Sequence, residues 1–132
     1  MNLTEIIKQD YQNFPEDQTY SIYAENVHFK DPVYNFYGLK KYQEMINFLK
    51  KWFKNLHLEL HEIKQTENQI DTRWTMSWNS PLPWQPFISV SGRSELKLKD
   101  NLIIGHYDYW DKSFWNMIQQ HFVFIRNQQV KF

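Results

Sequence analysis

Tyr23-Ala24-Glu25-Asn26-Val27-His28-Phe29-Lys30-Asp31-Pro32 reads as the end of a short helix, a turn, and an edge strand stopped by proline. Proline offers no N–H to a ladder and drives the residue before it into an extended conformation. The strand therefore ends on a carboxylate, Asp31, held in a fixed direction. A second stretch, Ile103-Ile104-Gly105-His106-Tyr107-Asp108-Tyr109-Trp110-Asp111, predicts the last strand. Side chains alternate along a strand, so Ile104, His106, Asp108 and Trp110 share one face, and Ile103, Gly105, Tyr107 and Tyr109 the other. Two acids are thus delivered to the inside of one sheet.

The rest of the chain supplies the elements around them. Asn2 with Glu5 predicts a capped helix striped by Leu3, Ile6, Ile7, Tyr11 and Phe14. Pro15 suits the first turn of a second, short helix carrying Tyr20, Tyr23 and Ala24. After Gly38, the residues Leu39, Tyr42, Met45, Ile46, Leu49, Trp52, Phe53 and Leu56 fall at helical steps. The period then changes to two. Leu56, Leu58 and Leu60 form one inward set, Ile70, Thr72, Trp74, Met76 and Trp78 the next, and Val90, Gly92, Ser94, Leu96 and Leu98 a third. Asn79 to Pro86 is too proline-rich to pair, and Asp100-Asn101 signals a tight hairpin. Ser113 caps a final helix striped by Phe114, Met117, Ile118, Phe122 and Ile125. Helices followed by a meander predict an α+β domain over residues 1–132: a cone-shaped curved antiparallel sheet with N-terminal helices on its concave face.

Composition bounds the function. With 132 residues, the chain buries roughly two thirds of its unfolded surface without staples. It has no cysteine, so neither disulfides nor thiolate chemistry arise. Fifteen basic and fifteen acidic residues leave no net field, which argues against a nucleic-acid partner. There is no spanning segment and no apolar run of signal-peptide length, so a soluble cytoplasmic protein is the expectation. Aromatic residues reach 18%, enough to wall a ligand cavity or simply to fill a core.

The order of elements, with Tyr-Ala-Glu-Asn-Val-His-Phe-Lys-Asp-Pro early and Ile-Ile-Gly-His-Tyr-Asp-Tyr-Trp-Asp late, resembles the nuclear transport factor 2-like superfamily. Its SnoaL-like and ketosteroid-isomerase-like branches are the nearest. That resemblance implies the cone fold and a pocket, but not one function, because the fold hosts enzymes, binders and inactive modules. By the resemblance to ketosteroid isomerases, Asp31 matches the general base, Tyr11 the oxyanion tyrosine of the first helix, and Tyr23 a supporting tyrosine. Their second oxyanion acid has no counterpart here, where Ser94 is the one inward side-chain donor. Asp108 matches the catalytic aspartate of limonene-type epoxide hydrolases, whose Arg-x-Asp is missing from the inward set of Ile70 to Trp78.

Each candidate has a structural alternative. Asp31 is either a base, its pKa raised by an apolar surrounding, or the acceptor of its own turn. Asp108, turned inward beside His106 and Trp110, requires a partner: His106, a tyrosine hydroxyl, an indole, or water in a cavity. For His106 the satisfied core residue is the leading reading. His57 and His61 stand roughly 13 Å apart on a strand and cannot share one metal ion. Tyr107 and Tyr109 face the back of the sheet, a solvated surface or a homodimer contact. Trp84 pins its loop or lids the cone. The aromatic final helix, with Phe114, Trp115, Phe122 and Phe124, seals the cone or an interface. The sequence thus points to a small apolar, oxygen-bearing ligand walled by Trp74, Met76, Trp78 and Trp110. Tyr11, Tyr23, Asp31, Ser94, His106 and Asp108 are its polar points, and no cofactor or metal is implied. The alternative is a non-catalytic dimeric interaction module.

Overall fold

The computed structural model describes residues 1–122. Helix α1 (Leu3–Asn13) begins at Asn2, whose side chain accepts from the Glu5 N–H. A 3₁₀ turn (Tyr20–Ile22) leads into β1 (Tyr23–Lys30) and β2 (Asn35–Tyr37). Helix α2 (Leu39–Trp52) precedes the meander β3 (Lys54–Gln65), β4 (Gln69–Asn79), β5 (Phe87–Lys99) and β6 (Leu102–Trp110). Helix α3 (Phe114–Gln120) follows, capped by Ser113. The six strands form one sheet in the order β2-β1-β6-β5-β4-β3. This is the expected α+β arrangement, with α1 and α2 packed on the sheet.

Four local expectations are corrected. The second helix does not form: Tyr23 and Ala24 already belong to β1, and only a single 3₁₀ turn precedes them. Three striped residues are too few to specify a helix against a strand whose Val27 and Phe29 alternate into the core. β1 is not an edge strand either. It lies between β2, the true edge, and β6, which it pairs in parallel, so the sheet is mixed. The α2 stripe ends before Leu56, because Phe53 caps the helix and Leu56 already belongs to β3. Finally, Ile104 does not share a face with His106. Lys97 pairs with Gly105 but Leu98 pairs with Ile103, leaving Ile104 as an extra, bulged residue. A bulge resets alternation. Ile103 is therefore fully buried, while Ile104 is 38% exposed.

The inward sets of the meander otherwise point as expected. Ile70, Thr72, Trp74 and Trp78 on β4 are buried, as are Val90, Ser94 and Leu96 on β5. Asp100 and Asn101 both take positive φ, 52° and 62°, and close the β5–β6 hairpin. Ser80 to Pro86 loops out, and Trp84 pins it: its indole N–H donates to the His121 carbonyl at 2.7 Å. Ser80 Oγ accepts from the Trp78 indole at 2.9 Å and lies 2.8 Å from His121 Nε2. The loop is thus tied to the end of α3. The expected helical positions Phe124 and Ile125 lie outside the described residues.

On the back of the sheet, the Arg93 guanidinium stacks over the Tyr109 ring at 4.2 Å and pairs with Glu95 at 3.0 Å. Tyr107 leans over Gly105, with its hydroxyl 3.2 Å from His28 Nδ1. His61 Nε2 lies 2.7 Å from Thr75 Oγ1. Among the described residues no helix is long and apolar enough to cross a membrane.

Candidate ligand pocket

Three apolar clusters build the interior. One joins Leu3 and Ile7 of α1 to Val27, Ile70, Leu96 and Ile103. A second groups Trp74, Trp78, Ile88 and Val90, and a third Phe29, Tyr42 and Ile46. They do not close on one another completely. A cavity of about 240 Å³ remains where they meet, and members of all three line it. Every residue that the sequence reading assigned to the ligand site borders this space: Tyr11, Tyr23, Asp31, Trp74, Met76, Trp78, Ser94, His106, Asp108 and Trp110. Phe53, stacked on Trp78 at 4.7 Å, extends the wall.

The polar floor is a connected chain. The Trp74 indole N–H donates to Ser94 Oγ at 2.8 Å, and Ser94 donates to Asp108 Oδ1 at 2.5 Å. His106 Nε2 lies 2.9 Å from the same oxygen. One carboxylate oxygen thus gathers two side chains, and Oδ2 takes no bond from any described residue. His106 and an indole are therefore both partners of Asp108, the indole through Ser94. The imidazole is sandwiched by aromatics: Phe29, Tyr42 and Tyr23 centre 5.0, 5.7 and 6.3 Å away. Its Nδ1 is buried with no partner among the described residues.

Asp31 sits in the loop between β1 and β2. Its Oδ1 accepts from the backbone N–H groups of Val33 and Tyr34 at 2.7 and 2.6 Å. The turn-acceptor reading is thereby realised, and it does not exclude the other. One oxygen is anchored, and the second takes no bond from any described residue at the cavity wall. Burial pushes the Asp31 carboxyl up from 3.8 to about 6, opposed by the two turn N–H groups and reinforced by the charge of Asp108.

Two tyrosine hydroxyls, Tyr23 and Tyr42, lie 3.2 Å apart. One donates to the other, so the acceptor keeps a proton of its own to offer. Tyr11 bonds Thr72 Oγ1 at 2.9 Å. Burial drives all three phenols well above their ordinary range, and Asp108 adds to this in each case. They are neutral donors at physiological pH.

Two groups escaped the sequence reading. Asp10 is buried on α1, where its carboxylate accepts from the Thr19 N–H and hydroxyl at 3.0 and 2.8 Å. Its spacing gave a signal, since Ile7, Asp10 and Phe14 continue the apolar stripe through an acid. Tyr42 was counted as apolar stripe alone, and only the packed structure brings its hydroxyl to Tyr23. Among the described residues, no group of three or more histidines and acids gathers as metal ligands.

The raised Asp31 predicts an unusual acid-limb profile. The fold favours protonated Asp31, so its stabilising contribution is complete below pH 3.8 and is lost as pH rises to about 6. The shift corresponds to at most about 3 kcal/mol, which partial exposure reduces to about 1–2 kcal/mol. Asp31→Asn keeps the turn acceptor and removes the titration. Urea melts should find the two proteins equal near pH 3.5 and the variant about 1–2 kcal/mol more stable at pH 7.5. A constant difference across that range would place Asp31 in solvent.

Solved structures share this architecture. A hypothetical protein from Catenulispora acidiphila with a ketosteroid isomerase-like fold, in complex with trimethylamine, superposes with a TM-score of 0.72 at 12% identity, covering 91% of this chain and 93% of that one. A putative polyketide cyclase from Xanthomonas campestris pv. campestris gives 0.70 at 12% identity, covering 89% and 94%. An LEH-like epoxide hydrolase from M. tuberculosis gives 0.68 at 13%, covering 89% and 84%. The fold is that of the nuclear transport factor 2-like superfamily. No curated protein matches the chain. Residues 1–106 match the family described as Uncharacterized conserved protein (DUF2358), and the chain belongs to that family.

Proposed function

We propose that this protein binds a compact apolar ligand carrying an oxygen and moves a proton on it. The observation that carries the reading is the cavity, whose wall holds three acids: Asp10 bonds Thr19 through both oxygens, while Asp31 and Asp108 each have one oxygen bonded and one without a partner among the described residues. A dry wall with a few convergent polar groups is the form that small-molecule sites take. The volume lies below the roughly 300–1,000 Å³ of common ligand sites, which favours one or two rings over a polyene. A carboxylate near pKa 6 is poised to accept a proton at neutral pH. The spare proton of the Tyr23–Tyr42 pair, with Tyr11, would stabilise an oxygen gaining charge as the proton leaves carbon. The cyclase and epoxide hydrolase among similar structures agree with a catalytic use of this pocket but do not choose the substrate.

Deuterium exchange tests it. Cyclic β,γ-unsaturated ketones incubated with the protein in heavy water should gain deuterium next to the carbonyl, followed by NMR. Asp31→Asn or Asp108→Asn should slow exchange by about 10²–10³-fold. Ketones that bind without exchanging would reduce the protein to a carrier.

A further inference from the structure

The polar end of the cavity has an imbalance that its apolar wall does not explain. Asp31 and Asp108 both reach this space, and among the described residues no lysine or arginine lines it. The charge of Asp108 bears on Asp31, and His106 Nε2 lies against Oδ1 of Asp108, the oxygen that Ser94 also reaches. The free oxygens of both acids are acceptors only. Nδ1 of His106 is buried with no partner among the described residues, on a side chain nine-tenths buried at the same wall. In the tautomer that donates a hydrogen bond from Nε2 to Asp108, Nδ1 is an acceptor. Around them stand the faces of Tyr23, Phe29, Tyr42 and Trp74, which attract positive charge through their ring quadrupoles. Half-buried acids with idle acceptor oxygens at an aromatic wall are well met by a group that brings positive charge and N–H donors.

We infer that the ligand of this pocket carries a protonated amine, seated between the free oxygens of Asp31 and Asp108 with its hydrocarbon body against Trp74, Trp78 and Phe53. This rests on the pocket reading above and names its ligand class. An ammonium is preferred over a quaternary centre, because the idle acceptors require N–H donors and a quaternary nitrogen has none. A carboxylate or phosphate ligand is disfavoured by the same two charges.

Three probes of one shape separate the possibilities: cyclohexylmethylamine, cyclohexanemethanol and cyclohexanecarboxylate, titrated calorimetrically into the intact chain at pH 7.5. The amine should bind at least about tenfold tighter than the alcohol, and the carboxylate should not bind measurably. In the Asp31→Asn/Asp108→Asn double variant the amine and the alcohol should bind within about twofold of each other. The single variant Asp31→Asn, which keeps its turn, should lose part of the preference, and an undiminished preference there would overturn the seat between the two acids. An alcohol that matches the amine in the wild type would overturn the amine and leave the pocket standing. So would a preference that survives the double variant. Failure of all three probes to bind would remove both.

Discussion

Gly92→Ala is expected to lower the melting temperature by roughly 12 °C. Gly92 pairs with Trp74 on one side and Trp110 on the other, between two cavity-lining residues. A Cβ there would stand 2.3 Å from the Tyr109 carbonyl oxygen and 3.2 Å from both the Trp110 Cα and the Trp74 ring. The nearest of these is backbone, held in the β5–β6 ladder, and cannot step aside as a flexible side chain would. Relief requires parting two strands, at a cost of about 3 kcal/mol or more. At this chain length about 4 °C accompanies each kcal/mol. Because Trp74 and Trp110, which flank the displaced Tyr109 carbonyl, line the cavity, ligand binding should weaken together with stability. A shift under about 3 °C would mean that the strands are not this close.

Asp108→Ala and Asp108→Asn should behave differently. Alanine strips His106 of its partner at Nε2 while Nδ1 already has none, and it leaves the Ser94 hydroxyl proton without an acceptor. Orphaning buried donors of this kind costs about 2–4 kcal/mol in total. Asparagine keeps an acceptor oxygen at the position of Oδ1, so its stability should lie within about 1 kcal/mol of wild type while proton transfer and amine binding fall. Denaturant melts of the two variants, beside the exchange assay, separate scaffold from chemistry. Equal stability for both would show that the Ser94–Asp108–His106 chain contributes nothing to the fold.

These effects trace back to residues that differ in how openly they were written. Trp74, Trp78 and Ser94 announced their direction by strict alternation on strands whose two faces differ in polarity. Asp31 announced its position through the proline after it. Ile104 could not be placed, because a bulge adds one residue without a residue type that marks it, and everything before it on that strand changes face. Tyr23 was misassigned to a helix, since β1 is defined by a parallel partner some eighty positions away and not by its own short pattern. Asp10 and Tyr42 were hidden in apolar stripes, where spacing describes a face but not what a polar tip on it will touch.

What the chain determined alone was the alternation, the turns and the aromatic supply, all properties of neighbours within a few residues. These suffice for a curved sheet covered by helices and for an inward acid beside an inward histidine. Only tertiary packing decided that three apolar clusters stop short of closing, that Asp31 and Asp108 keep one unbonded oxygen each, and that Tyr23 meets Tyr42. Such outcomes depend on volumes and hydrogen-bond partners from distant segments, and no local pattern encodes a space that side chains fail to fill.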